Sequence, residues 1–368
     1  MLLLDKENIT VDSARKIVIV SDNDSVCMSV AQTLRTRGLE NVDIIKEDFF
    51  TAPDLAFLAE ETLGVIIDIS TESDVKVISE NVYAVIPQNV WCCVVGHNDS
   101  ISLAQKLLNE GILYFHSESQ LNQLVEKIVS GVNIPLVRHT VKIAVLGCKG
   151  GIGSSLISSH LANEITLNNK VPVLLAQGPN GSQDIDLLFD KKIQGDIVEY
   201  NANFDLFSGN IARLPLSVTD KYNFIIYDQP IFNVNKENFA SFFEYCNSFV
   251  LVVDRRINSL RVAKQFLDEC ERMRAATGKP IRTFICISDS NIETSKLMAI
   301  TDIEMLLKCP VDATIPFLKK TDSKTVLSID LGRVGKKEID TLMMRVIGMV
   351  SRHQKKEKQS FFSSLMKK

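Results

Sequence analysis

The sequence has no CxxC pair, no stretch of eighteen uninterrupted apolar residues, a single tryptophan and little net charge. Without a CxxC pair, its eight cysteines (27, 92, 93, 148, 246, 270, 286 and 309) sit mostly inside apolar runs and read as reduced, buried thiols. Without a long apolar run there is no candidate membrane span, and the opening MLLLDKENITVDS is too short in its apolar part for a signal peptide. A cytoplasmic protein is expected. A formal charge of -4, spread along the chain, supplies no basic field to gather a phosphate backbone, so no nucleic-acid partner is expected.

What is present is ordinary globular material: 368 residues, 45% hydrophobic and 23% charged, enough for two domains with a core each. Apolar β-branched runs recur from start to end: KIVIV at 16–20, VDII at 42–45, GVIID at 64–68, WCCVV at 91–95, KIAVL at 142–146, VPVLL at 171–175, FIIYD at 224–228, FVLVVD at 249–254 and RTFICIS at 282–288. Their hydrophobicity is continuous rather than alternating, the mark of strands covered on both faces, with helical periodicity between them. The fold class predicted is therefore α/β, two doubly wound parallel-sheet domains in succession. Pro135 and a loss of periodicity in GVNIPLVRHT set the boundary, giving domains at 1–135 and 136–353 and a tail at 354–368. Ile339, Leu342, Met343, Val346, Ile347 and Val350 fall at helical spacing and predict an amphipathic helix closing the second domain.

The most informative segment is the turn after KIAVLG: Cys148, Lys149, Gly150, Gly151, Ile152, Gly153, Ser154 and Ser155, leading into the helical pattern LISSHLANEITLNN. Strand, glycine-rich turn and helix start aim backbone N–H groups and a helix dipole at an anion. Against the phosphate-loop pattern GxxxxGK[ST], Gly153 and Ser155 fit, but Cys148 stands at the first glycine and Ser154 at the lysine. A dinucleotide fingerprint fails because Leu156 stands where a third glycine is needed.

The run KGGIGSS resembles the KGGxGK[ST][ST] loop of the ParA/MinD ATPases. YNFIIYDQP at 222–230 resembles their Walker B strand, FVLVVDRRINSLRVAKQFL their serine-leucine helix start, and ATIPFL at 313–318 their late strand ending in Ile-Pro. The resemblance covers about residues 141–350 and implies ATP as ligand with Mg2+. Nucleotide would be held by Lys149, Gly150, Gly151, Ile152, Gly153, Ser154 and Ser155, the metal by Ser155 and Asp228, and Asp228 is the best candidate for a catalytic role. It also implies a homodimer in which Lys149 reaches the partner's phosphates. Two departures matter. The lysine that neutralises charge on the transferred phosphoryl group is Ser154, and the family's Asp-x-Asp pair, which orders the attacking water, is Gln177 and Pro179 in VLLAQGPNGSQDID. Asp184 and Asp186 lie nearby as substitutes. Binding and dimerisation with weak or no hydrolysis are expected, and with Ser288 or Asp289 at the adenine-side position the base preference is less defined.

In the first domain, KIVIVSDNDSVCMSVAQTLRTRG resembles the opening strand and helix of a response-regulator receiver, and VIIDIS puts Asp68 at its phospho-acceptor position, with Asp22 and Asp24 near the magnesium acids. The Ser/Thr and Lys that such chemistry needs are absent: the fourth strand ends in Gly96-His97 and the fifth runs into His116. An atypical receiver fused ahead of a deviant ParA/MinD domain resembles the TadZ/CpaE family. That resemblance implies a dimeric localisation factor for the Flp (tight adherence) pilus secretion machinery at the cell pole. In the tail, five lysines against Glu357 beside Phe361, Phe362, Leu365 and Met366 suggest peripheral contact with the inner membrane, the alternative being a solvated tail. Two other readings of the whole remain open: an active ParA/MinD-like ATPase partitioning DNA or cargo, and a regulator phosphorylated at Asp68.

Overall fold

The computed structural model describes residues 15–348, apart from 53, 54, 56, 59, 89, 131–139, 194, 195, 211, 212, 278–280, 290–296 and 320–322. The chain divides into two compact units, the second being Thr140–Ile347. The predicted tail at 354–368 and Val350 lie outside the described residues.

The first unit runs β1 (Lys16–Val20), α1 (Asp24–Thr36), β2 (Val42–Ile45), β3 (Thr62–Asp68), α2 (Val75–Val85), β4 (Trp91–Gly96), α3 (Ile101–Asn109), β5 (Leu113–His116) and α4 (Leu121–Ser130). Its five strands are all parallel in the order β2-β1-β3-β4-β5, the flavodoxin-like arrangement. Asn23, Asp74 and Ser100 cap α1, α2 and α3, their side chains accepting first-turn N–H groups that the helix leaves unpaired. All six residues of β4 are buried, which is why WCCVV reads as an unbroken apolar run.

The second unit contains β6 (Val141–Gly147), α5 (Ser154–Asn169), β7 (Val173–Gln177), α6 (Ile185–Phe189), β8 (Val198–Asn201), β9 (Phe204–Ser208), α7 (Leu216–Thr219), β10 (Phe224–Pro230), a 3-10 helix (Lys236–Glu244), β11 (Ser248–Val253), α8 (Ile257–Thr277), β12 (Arg282–Ser288), α9 (Ile300–Leu307), β13 (Ala313–Ile315), a short 3-10 turn (Val326–Ser328) and α10 (Gly332–Val346). The sheet order is β13-β12-β11-β6-β10-β7-β9-β8. From β6 the strands step outward one way through β10 and β7 and the other way through β11 and β12, so the loop after β6 opens where the strand order reverses. Ligands of open α/β sheets bind at such a place.

Every neighbouring pair is parallel except β8 and β9, which are antiparallel. The apolar runs did not announce this edge hairpin, because β8 alternates half-buried and exposed residues as an outermost strand does. Asn203, with φ 64°, makes the turn. Beneath β11 the phenylalanines at 239, 242, 243, 249 and 266 pack mostly edge to face, filling the space below the strands that carry the site. The predicted closing helix is α10, with Ile339, Leu342, Met343 and Val346 buried. All eight cysteines are free thiols, seven of them buried. Among the described residues no helix is long and apolar enough to cross a membrane.

Candidate functional site

Parallel pairing brings the ends of four strands together. β10 is in register with β6 and β7, so Pro230 stands beside Gly147 and Asp228 beside Gln177. β11 runs along the other side of β6, and the Cys148 N–H donates to the Val252 carbonyl at 3.0 Å, tying the start of the turn to that strand. The turn itself takes left-handed backbone at Gly151 (φ 65°) and at Gly153 (φ 88°), which is the N-cap of α5. No side chain caps α5, so its first N–H groups stay available to an anion.

A cavity of about 510 Å³ lies over this turn, lined by Lys149 through Ser155, by Asp228 and Pro230 at the end of β10 and, from facing loops, by Gly181, Ser182, Asp184 and Phe232 among others. The Ser155 hydroxyl donates to Asp228 Oδ2 at 2.6 Å. Asp228 is 5% exposed. Burial pushes its carboxyl up to about 6, against hydrogen bonds from Ser155 and Gln177 that lower it, while the nearby Asp184 raises it further. A hydroxyl and a carboxylate at this spacing are a hard-oxygen donor pair, suited to a small divalent cation that keeps its remaining positions for water and phosphate.

The lysine of the loop is engaged within its own chain. Lys149 Nζ donates to Asp254 Oδ2 at 2.7 Å, at the end of the strand beside β6. Asp254 is 1% exposed. Burial opposes its ionisation, but hydrogen bonds from Lys149, the Ser259 hydroxyl and the Arg256 N–H outweigh that and hold its carboxyl below the usual range. Ser154, at the missing-lysine position, folds back: its Oγ lies 2.9 Å from where a Cβ on Gly147 would stand. Arg255 grips Asp289 through Nε at 2.6 Å and a second nitrogen at 3.2 Å, so this carboxylate is already paired.

All seven loop residues named from the sequence and Asp228 meet at the cavity. Asp184 joins them, whereas Asp186 lies in the first turn of α6 and accepts the N–H of Leu187 at 2.9 Å. Gln177 belongs to the site in a way the sequence did not reveal, because its contacts depend on the pairing of β7 with β10. Phe232, 45% exposed, was also missed; its ring comes within 3.3 Å of a Cβ built on Gly150. An aromatic two residues past the Walker B-like Asp-Gln-Pro was its only signal.

In the first unit Asp68 is 6% exposed. Its Oδ2 accepts the Ser21 hydroxyl at 2.6 Å and its Oδ1 the Ser70 N–H at 2.8 Å. Asp22 and Asp24 are exposed, and Asp24 pairs with Lys46 at 2.6 Å. It is thus Ser21, and neither of those acids, that the fold brings to Asp68. His116, at the end of β5, turns its Nδ1 toward the Ser119 hydroxyl at 3.0 Å.

No protein-family model and no curated protein matches the chain. Among solved structures, the chain is similar to a ParA family ATPase from Chlorobium tepidum TLS, with 19% identity over 55% of this chain and 98% of that one and a TM-score of 0.41. It is also similar to a chain of the MinC:MinD cell division protein complex of Aquifex aeolicus, at 16% identity, 57% and 96% coverage and a TM-score of 0.47. The Pyrococcus furiosus cell division ATPase MinD is similar at 14% identity, 58% and 100% coverage and a TM-score of 0.43.

Proposed function

We propose that this chain is a nucleotide-binding, dimeric localisation factor that holds ATP with Mg2+ at the turn after β6, with weak or no hydrolysis. The observation that carries the reading is the Ser155–Asp228 hydrogen bond at the foot of a left-handed glycine turn, inside a cavity large enough for a ligand of this kind. Ser155 and Asp228 would hold the magnesium ion, whose chemistry is to neutralise charge on the terminal phosphates. The backbone N–H groups of Gly151 to Ser155 orient those phosphates, and Lys149 supplies the positive charge that Ser154 does not.

Lys149 can serve a partner's phosphates only by leaving Asp254. ATP and dimer formation are therefore coupled in this reading: the nucleotide offers the stronger anion, and the second copy brings it within reach. Sedimentation with and without Mg-ATP tests this. Wild type shifts from monomer to dimer with ATP, Lys149→Ala stays monomeric, and phosphate release from wild type stays slow. Release at several turnovers per minute, lost on Asp228→Ala, would instead support the active partitioning ATPase.

The assignment to Flp pilus assembly at the cell pole rests on the TadZ/CpaE resemblance, a receiver-like unit ahead of a phosphate loop without its usual lysine. The hydrogen bonds on Asp68 support an interaction role for that unit. With Ser21 and Ser70 bonded to its two oxygens and only 6% of the residue exposed, Asp68 offers little access to a phosphoryl donor. Incubation with acetyl phosphate and Mg2+ leaves the intact mass unchanged, while Asp68→Ala lowers stability by about 1 kcal/mol in urea titration, since it removes the hydrogen bonds that the buried carboxylate accepts from Ser21 and Ser70. A phosphoryl adduct that Asp68→Ala removes would favour the regulator reading.

A further inference from the structure

Gln177 stands at the end of β7, 1% exposed, with every polar atom engaged. Its Oε1 accepts the Ile185 N–H at 3.0 Å, which fixes the orientation of the amide. Its Nε2 must then face the other way, toward Asp184 Oδ1 at 2.9 Å, the Ser182 hydroxyl at 3.2 Å and Asp228 Oδ2 at 3.4 Å. The Ser182 hydroxyl also donates to Asp184 Oδ1. An amide is the group this position needs, because its two N–H bonds draw two carboxylates together where a third carboxylate would repel both.

Asp184 is thereby carried from the loop before α6 to the wall of the cavity, facing the turn that Ser155 closes. One of its oxygens is spent on Gln177 and Ser182; the other has no hydrogen-bond partner among the described residues. We infer that Asp184 is the carboxylate that orients the water attacking the terminal phosphate, and that Gln177 is its positioning residue. This rests on the ATP-binding reading and adds to it the route by which the slow turnover occurs. The water oxygen bonds to the γ-phosphorus as the bond from that phosphorus to the bridging oxygen breaks. The electron pair leaves on the β-phosphate of ADP, and the proton of the water passes by way of Asp184 to the released phosphate. The function lost with an acid at position 177 is recovered from a loop seven residues downstream.

The test uses the full chain with Mg-ATP and reads two quantities separately, phosphate release and affinity for a fluorescent ATP analogue. Wild type releases phosphate slowly but above ATP alone. In Asp184→Asn, which keeps the shape and the loop, kcat falls about 100-fold while nucleotide affinity stays within about twofold, and the ATP-bound dimer lasts correspondingly longer. Gln177→Leu lowers kcat with little change in KM, and Gln177→Asn recovers part of the loss, which a purely packing role would not give. Unchanged release from Asp184→Asn overturns the inference. So does a loss of affinity in step with the loss of release, which would make Asp184 a binding group. If wild type binds ATP and releases no phosphate, this inference fails and the binding reading stands; if wild type binds no ATP, the binding reading itself fails.

Discussion

Gly153→Val is expected to abolish the proposed nucleotide binding, with affinity for Mg-ATP reduced at least about 100-fold in a calorimetric titration, while the chain stays folded. The reason is conformational. Gly153 holds φ 88° as the N-cap of α5, a region that costs an L-residue about 1–2 kcal/mol and a β-branched one more. Space is not the obstacle, since the nearest atom to a Cβ there is Ser288 Oγ at 3.6 Å, an ordinary contact. The strain is relieved by rotating the backbone out of the left-handed region, and that turns away the N–H groups that face the cavity. A melting temperature lowered by only a few degrees, together with lost binding, is the expected pair of results. Undiminished binding by Gly153→Val would show that phosphate is not held by this turn.

The second large effect is steric and concerns the first unit. Gly64 of β3 pairs in register with Trp91 of β4, and the indole lies across it so closely that a Cβ on Gly64 would stand 1.9 Å from Trp91 Cε2. Trp91 is 8% exposed and packs in the core with Ile17, Ile66 and Cys93, so it has no open side to move toward. Gly64→Val is expected to destabilise the unit by at least about 3 kcal/mol, at the upper end of what overpacking produces. Because Trp91 is the chain's one tryptophan, its fluorescence reports the loss directly in a urea titration. A midpoint equal to that of wild type would mean that the indole does not lie across Gly64.

What could be read from the sequence and what could not divide along a physical line. Strands buried on both faces announce themselves as continuous apolar runs, so β1, β3, β4, β6, β10, β11 and β12 were placed from KIVIV, GVIID, WCCVV and their counterparts, and the α/β class with them. Residues 148–155 were legible because a turn built on consecutive glycines at a helix start has few other uses. The β8–β9 hairpin was missed, since an edge strand carries half the apolar signal of a central one. Contacts between residues distant in sequence left no trace: Lys149 with Asp254 spans 105 positions, and Gln177 with Asp228 spans 51. The sequence showed Gln177 as a departure from a pattern. Only the pairing of β7 and β10 shows what the amide holds.

The Lys149–Asp254 pair makes the isolated chain electrically content. A cation stranded at the mouth of a cavity would attract any passing anion, from inorganic phosphate to an acidic side chain of an unrelated protein. Here its charge is already answered by Asp254, the residue that follows β11, and an incoming ligand must outcompete that neighbour before it gains the lysine. Under the proposed function the pair is a threshold, one that turns away singly charged competitors and yields to a polyanion presented together with a second copy of the chain.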